Sequence, residues 1–158
     1  MKAASRRPTA YVLAALLLAT APTAARAAGI ALEEAIVPAE DPGIQLYVGN
    51  KHPEGVASFG PERTLLFVHG ATYPAETAFD LPLGGRSWMD FIAERGFDVY
   101  LMDLRGYGRS TRPKEMDEPP GANEPIVTTD VAVRDVAAVV DHIRQKRGID
   151  KLDVMGWS

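Results

Sequence analysis

The sequence predicts an α/β fold, built on a mostly parallel sheet with helices on both faces. Two apolar runs, residues 64–68 ("TLLFV") and 97–102 ("FDVYLM"), lack the alternation of a strand with one exposed face, which indicates strands covered on both sides. From residue 64 onward the chain alternates strand, helix, strand, helix and strand. Such alternation predicts right-handed crossover connections between parallel strands.

Two further segments are predicted to be strands. Residues 44–51 ("IQLYVGNK") alternate apolar and polar residues, as a half-exposed strand does, and residues 56–60 are a candidate partner for it. Residues 151–156 ("KLDVMG") predict a short buried strand after the last helix.

Two segments carry helical periodicity. The first, residues 87–96, has Gly96 at its expected C-terminal cap and three large apolar residues at helical spacing, Trp88, Phe91 and Ile92. The second, residues 128–148, follows a loop rich in proline, glycine and charge. It begins with a threonine, ends in a basic turn that suits the helix dipole, and has one apolar face, formed by Ala132, Val136, Val139, Val140 and Ile143.

The N-terminus has the three parts of a secretory signal peptide. Basic residues at Lys2, Arg6 and Arg7 precede an apolar run at residues 11–21, and the small-residue sequence "ARA" ends at residue 27. The apolar run is too short to span a bilayer, which takes about 20 residues as a helix. We therefore predict that residues 1–27 are a signal peptide, that residues 28–158 are the folded part, and that the protein is exported to the periplasm or the medium.

The composition narrows the classes of ligand and partner. The chain has no cysteine, so it forms no disulfide and no thiolate metal site, and no His, Asp or Glu cluster has metal-ligand spacing. Without residues 1–27 it carries 13 basic and 21 acidic residues. Such an acidic protein is not expected to bind nucleic acid, and it has no long basic run for anionic membranes. We expect no cofactor and no metal, and the composition leaves the oligomeric state open.

Three loops follow the predicted parallel strands at their carboxyl ends. They contain His69-Gly70-Ala71, "DLRGYGRS" (residues 103–110) and Gly156-Trp157-Ser158. Because the carboxyl ends of parallel strands meet at one edge of a sheet, we expect the chemistry there. Together the motifs resemble the α/β-hydrolase fold family of the serine-nucleophile type. "DLRGYGRS" is similar to its D-x-R-G-x-G-x-S turn and "GWS" to the first half of G-x-S-x-G, and the resemblance covers roughly residues 44–158.

The resemblance implies a role for each loop. Ser158 is the expected nucleophile, on a sharp strand-to-helix turn for which Gly156 supplies the preceding glycine. Ala71 is the expected donor of one oxyanion-hole N–H, with Gly70 allowing close approach of substrate and His69 shaping the loop. The implied activity is hydrolysis of an ester or related acyl bond in a small-molecule substrate by an exported enzyme. The base would come from downstream, so residues 1–158 alone, truncated at the nucleophile turn, are expected to be inactive.

None of the three histidines is expected to be the catalytic base, and Asp103 is not favoured as a catalytic acid. The family assigns His69 to the loop and not to the base, His52 lies in an early polar turn, and His142 sits beside Asp141 on a predicted solvated face. Asp103 is expected to brace the glycine-rich turn, with Arg105 as its possible partner.

Two alternatives concern ligands. Gly106-x-Gly108 begins a dinucleotide-binding fingerprint, but Thr111 stands where the third glycine is needed and no helix follows at once. A dinucleotide cofactor site is therefore not expected. Residues 71–86 are long for a loop, and Tyr73, Phe79 and Leu81 within them either line an acyl pocket or only pack the loop.

A non-catalytic binding or interaction module on the same fold, or an inactive fragment, is the rival to the enzyme.

Overall fold

The computed structural model of the protein describes residues 29–119 and 121–157. Within these ranges, no helix combines the length and apolar character needed to cross a membrane. The predicted signal peptide, residues 1–27, and the predicted nucleophile Ser158 lie outside the described residues.

One five-stranded sheet organises the fold. Its strands are β1 (Ile30–Pro38), β2 (Gln45–Pro53), β3 (Thr64–Val68), β4 (Asp98–Met102) and β5 (Asp153–Gly156), and their order in the sheet is β1-β2-β4-β3-β5. β3 pairs in parallel with both β4 and β5, whereas β2 is antiparallel to β1 and β4. The sheet is therefore mixed, with the parallel half formed by the three strands whose ends carry the motifs.

Helices cover both faces of the sheet, as predicted for an α/β fold. α1 (Ala75–Phe79) and α2 (Trp88–Ala93) pack on one face, and α3 (Thr129–Arg147) packs on the other. In β3, Phe67 faces the first pair of helices while Leu66 faces α3, and both side chains are fully buried. Burial on both faces explains why the strand sequences show no alternation. A fully buried side chain of this size contributes about 1.5–3 kcal/mol.

The antiparallel half of the sheet differs from the expectation. β2 was predicted to be half exposed, but its residues from Leu46 to Asn50 are all buried because helices lie over both of its faces. Its partners are β1 and β4, and residues 56–60 form a loop instead of the predicted partner strand. β1 was not predicted, because two adjacent glutamates, Glu33 and Glu34, interrupt the alternation of apolar and polar residues in this edge strand.

Both predicted helices form. Two residues of the predicted apolar face are buried in α3, whereas α2 buries other residues than those predicted. α3 begins after the Thr128 cap and ends at Gly148, which adopts φ 67°. Val139 and Ile143 are buried as predicted. α2 is shorter than predicted and begins at a capping box between Ser87 and Asp90. It buries two other residues, Met89 and Ala93, in place of the predicted face, whose members Trp88 and Phe91 are 44% and 42% exposed.

The last strand was predicted to be buried, and this is wrong for the described residues. β5 lies at the edge of the sheet and pairs only with β3. Val154 and Met155 are 51% and 41% exposed, because nothing in the described part of the chain covers either side chain. β5 nevertheless brings Gly156 level with Val68 at the end of β3.

Candidate active site

The three motif loops meet at one edge of the sheet. The strand register pairs Val68 with Met102 on one side and with Gly156 on the other, so β3, β4 and β5 end together. Trp157 continues the contact by donating its backbone N–H to the Val68 carbonyl at 3.0 Å. The predicted nucleophile Ser158 follows Trp157 directly in sequence but lies outside the described residues.

His69 is buried and both of its ring nitrogens have partners. Its Nδ1 lies 2.7 Å from the carbonyl oxygen of Gly70, and its Nε2 lies 3.1 Å from the backbone nitrogen of Leu104. A backbone N–H can only donate, so Nε2 accepts and the proton is on Nδ1, which donates to Gly70. His69 is thus a neutral imidazole that joins the loop after β3 to the loop after β4, and it has no free nitrogen to act as a base.

Ala71 lies between two fixed carbonyl groups. The carbonyl of Gly70 accepts from His69, and the carbonyl of Ala71 accepts from the hydroxyl of Tyr107 at 2.7 Å. In a trans peptide the C=O and N–H groups point in opposite directions, so holding the Gly70 carbonyl also orients the Ala71 N–H. Among the described residues no acceptor pairs with this N–H. The geometry leaves one oriented backbone donor beside the end of β3.

Asp103 braces the turn that follows β4, residues 103–110, which we call the Asp103 turn. Its buried carboxylate accepts the backbone N–H of Ala75 through Oδ1 and that of Arg109 through Oδ2, each at 2.9 Å. Gly108 adopts φ 46°, and a side chain there would collide with the Asp103 carboxylate, so this position requires glycine. The bracing role follows the prediction.

The predicted pairing of Asp103 with Arg105 is wrong. Arg105 points to the other face of the sheet, where its Nε lies 2.9 Å from Oδ2 of Asp135 on α3 and its Nη1 lies 2.6 Å from Oδ2 of Asp41. Hydrogen bonds from Arg105 and Arg134 lower the pKa of Asp41. This network was not predicted, although an aspartate at position 135, beside the apolar face of a helix, indicates that a buried cation pairs with it.

A cavity of about 310 Å³ lies beside the loop after β3. Four aromatic side chains line it together with smaller residues: Gly70, Thr72, Tyr73, Ala78, Phe79, Trp88 and Trp157. We call it the aromatic cavity. Tyr73 and Phe79 line it, whereas Leu81 does not and is 48% exposed. That the cavity holds an acyl group stays a prediction.

A polar cluster holds the wall of the aromatic cavity in place. The Nζ atom of Lys51 in β2 lies 2.6 Å from a carboxylate oxygen of Asp80 and 2.6 Å from one of Asp90. Asp80 directly follows Phe79 in the chain and also accepts the hydroxyl of Ser87. This cluster therefore anchors both ends of the segment that joins α1 to α2. The helix residues directly before and after this segment, Phe79 and Trp88, line the cavity.

The other two histidines lie away from the motif loops. His52 is in β2, not in a turn as predicted, at the end that pairs with the start of β4, and its Nε2 contacts Glu33 at 3.2 Å. His142 is half-buried in the second half of α3, and burial, followed by the nearby Lys146, lowers its pKa. Within residues 29–119 and 121–157, His, Asp and Glu side chains form no group of three that could bind a metal ion.

Comparison with known proteins supports the same fold. The sequence model of the alpha/beta hydrolase fold matches residues 63–158. No curated protein matches the chain. Solved structures that resemble it include hypothetical protein PA2218 from Pseudomonas aeruginosa (16% identity, TM-score 0.52), a bacterial heroin esterase (23%, 0.53) and esterase Est22 with p-nitrophenol (17%, 0.54).

These similarities extend over most of this chain but not over most of the other proteins. They cover 80%, 81% and 82% of this chain and 34%, 35% and 36% of the three neighbours, so the chain spans about a third of their length. At such low identity the structural likeness establishes the fold alone. The family match covers more than half of the chain, and the strands that carry the three motifs are parallel neighbours. The protein therefore belongs to the alpha/beta hydrolase fold family.

Proposed function

We propose that the protein is an exported serine hydrolase that cleaves an ester or a related acyl bond, with Ser158 as its nucleophile. The observation that carries the proposal is the oriented N–H of Ala71, which has no acceptor within residues 29–119 and 121–157 and lies close to the strand end that leads into Ser158. A preorganised backbone donor of this kind stabilises the oxyanion of an acyl-transfer reaction.

The proposed reaction proceeds through an acyl-enzyme. The hydroxyl oxygen of Ser158 attacks the carbonyl carbon of the substrate as a general base takes its proton, and a tetrahedral intermediate forms. The N–H of Ala71 and the N–H of the residue after Ser158 donate to its negative oxygen. Collapse of the intermediate expels the leaving alcohol, which takes up the proton, and water then releases the acid by the reverse sequence of steps.

The general base is not one of the three histidines of this chain. His69 is committed to two hydrogen bonds, and His52 lies at the end of β2, beside the start of β4 and so opposite the motif loops. His142 lies in the second half of α3. This half of the helix ends on the side of the sheet opposite the motif loops, because its last residue, Arg147, pairs with Asp98 at the start of β4. The proposal therefore assigns the base to a segment of a longer protein.

The aromatic cavity is the proposed site for an apolar group of the substrate. Gly70 and Trp157 both line it, and these residues are sequence neighbours of the proposed oxyanion donor and nucleophile. Small-molecule sites are typically concave and mostly apolar with a few polar groups, and a lining of four aromatic side chains fits that description. The hydroxyl-bearing residues Thr72 and Tyr73 supply the polar groups here.

Export is the second part of the proposal. The basic start, the apolar run and the small residues before Ala28 support cleavage of a signal peptide at that point. N-terminal sequencing of the protein secreted by a bacterial host should give Ala28 as the first residue. Secreted protein that still begins with Met1 would contradict this part without affecting the catalytic proposal.

Kinetics of the full-length protein with short-chain p-nitrophenyl esters test the catalytic part. Ser158→Ala should lower kcat by a factor on the order of 10⁶, and Ala71→Pro, which removes the N–H, by about 10²–10³. Ser58→Ala is the matched control, because this exposed serine lies in the loop between β2 and β3, remote from the motif loops. If Ser158→Ala keeps the wild-type rate, the assignment of Ser158 as nucleophile fails. If the wild-type protein hydrolyses none of these esters, a binding module becomes the better interpretation.

A further inference from the structure

Tyr107 connects the Asp103 turn to the loop that carries Ala71. Its hydroxyl donates to the Ala71 carbonyl at 2.7 Å, and its ring centroid lies 4.6 Å from that of His69. Tyr107 is half-buried, and its backbone N–H is bonded to the carbonyl of Leu104 within the turn. The backbone of Tyr107 is therefore held within its own turn, while its side chain bridges to the neighbouring loop.

The two peptide groups on either side of Ala71 are held by two different side chains. His69 holds the peptide that precedes Ala71, and Tyr107 holds the peptide that follows it. Since the backbone has two free dihedral angles per residue, fixing both flanking peptide planes defines both angles of Ala71. With the Tyr107 bond removed, the second plane can rotate, and the Ala71 residue with its N–H loses one of its two restraints.

We propose that Tyr107 is a positioning residue that keeps the Ala71 N–H directed at the oxyanion. The inference rests on the proposed function, because it concerns the same oxyanion donor. Tyr107 itself does not touch the reacting atoms in this account. It acts only through the carbonyl of Ala71 and through its ring contact with His69, and it lies on a different strand end from both residues.

The positioning role of Tyr107 has a specific kinetic consequence for the intact enzyme. Tyr107→Phe keeps the ring against His69 and removes only the hydroxyl, so the Ala71 N–H stays present but less well oriented. We expect kcat for a p-nitrophenyl ester to fall about tenfold with KM nearly unchanged, less than the 10²–10³ expected for complete loss of a donor. Inhibition by a trifluoromethyl ketone analogue of the ester should weaken by the same factor, because this analogue mimics the tetrahedral intermediate.

A double-mutant cycle separates positioning from a general structural role. In the Ala71→Pro background the N–H is already absent, so adding Tyr107→Phe should cause little further loss of kcat. Tyr100→Phe is the matched control. It removes another tyrosine hydroxyl, bonded to Arg147 on α3, and should lower stability without changing kcat.

The outcomes distinguish the inference from the function on which it rests. Serine-reactive fluorophosphonate should label Ser158 in the wild type and in Tyr107→Phe, with slower labelling in the variant. Two results would show that the positioning role is wrong while Ser158 remains the nucleophile. One is labelling of Ser158 together with wild-type kcat in Tyr107→Phe. The other is a loss of kcat from Tyr107→Phe that adds fully to the loss from Ala71→Pro. Failure to label Ser158 in the wild type overturns both.

Discussion

Replacing Asp103 by asparagine should destabilise the protein, because this carboxylate joins two of the loops at the candidate site. Oδ1 accepts from the backbone N–H of Ala75 at the start of α1, and Oδ2 accepts from that of Arg109 in the Asp103 turn. Asparagine keeps the shape but replaces one oxygen by an NH₂ group. Whichever way the amide is turned, one N–H group then faces another in a site that is only 2% exposed.

The size of the effect follows from the groups left without partners. A buried donor that loses its acceptor costs about 1–3 kcal/mol, and a hydrogen bond to a charged group contributes about 1.5–3 kcal/mol. The introduced NH₂ group and the backbone N–H that it faces are both left without a hydrogen-bond acceptor. We therefore expect Asp103→Asn to lower the free energy of unfolding by about 2–4 kcal/mol, and to lower activity further by loosening the start of α1.

Urea unfolding of the full-length protein, followed by circular dichroism, measures this change. Asp117→Asn is the matched control, because Asp117 pairs with Arg112 at the surface and is 70% exposed. Such surface pairs contribute about 0–1 kcal/mol, so the control should stay near wild type. An Asp103→Asn protein within about 0.5 kcal/mol of wild type would refute the argument that the two backbone bonds depend on the charged carboxylate.

Two further predictions concern stability. Gly108→Ala should cost about 2–3 kcal/mol more than Gly148→Ala in the same urea assay, since both positions have positive φ but only at 108 does a side chain meet the Asp103 carboxylate, and equal losses would contradict this. Hydrogen bonds from Lys146 and His52 lower the pKa of Glu33 to about 2, so its stabilisation is present above about pH 4.5 and is lost as the pH falls toward 2. Glu33→Gln should therefore lose less stability than wild type across that range, and parallel curves would argue against the interaction.

The parallel half of the fold could be predicted because its signals are local. The apolar runs of β3 and β4 reflect burial on both faces, which is visible in Leu66 and Phe67 side by side. The boundaries of α3 were predictable because Thr128 and Gly148 cap it in ways that depend on neighbouring residues only. These features need no knowledge of distant parts of the chain.

The elements that were missed depend on distant partners. β1 is a strand because it pairs with β2, and its own alternation is interrupted by charged residues. The partner of Arg105 is Asp135, 30 residues away on α3, and nothing near Arg105 in the sequence identifies it. Trp88 was predicted to share a helix face with Phe91 and Ile92, whereas it lines a cavity whose other walls come from α1 and from the loops after β3 and β5.

The candidate site was predicted in outline only. The sequence motifs identified the three loops, and the sheet register brings their ends together. The hydrogen bonds that orient the Ala71 peptides could not be predicted, because they run from His69 to the next carbonyl and from Tyr107 across to a different strand end. The roles of Ser158 and Ala71 remain predictions.

The residue that a fluorophosphonate modifies decides whether Ser158 is the nucleophile. The full-length protein is incubated with the probe, digested, and the adduct is located by mass spectrometry. We expect a single stoichiometric adduct on Ser158, formed in parallel with loss of esterase activity and absent in Ser158→Ala. An adduct on another serine, or full inactivation without modification of Ser158, would contradict the assignment of the nucleophile.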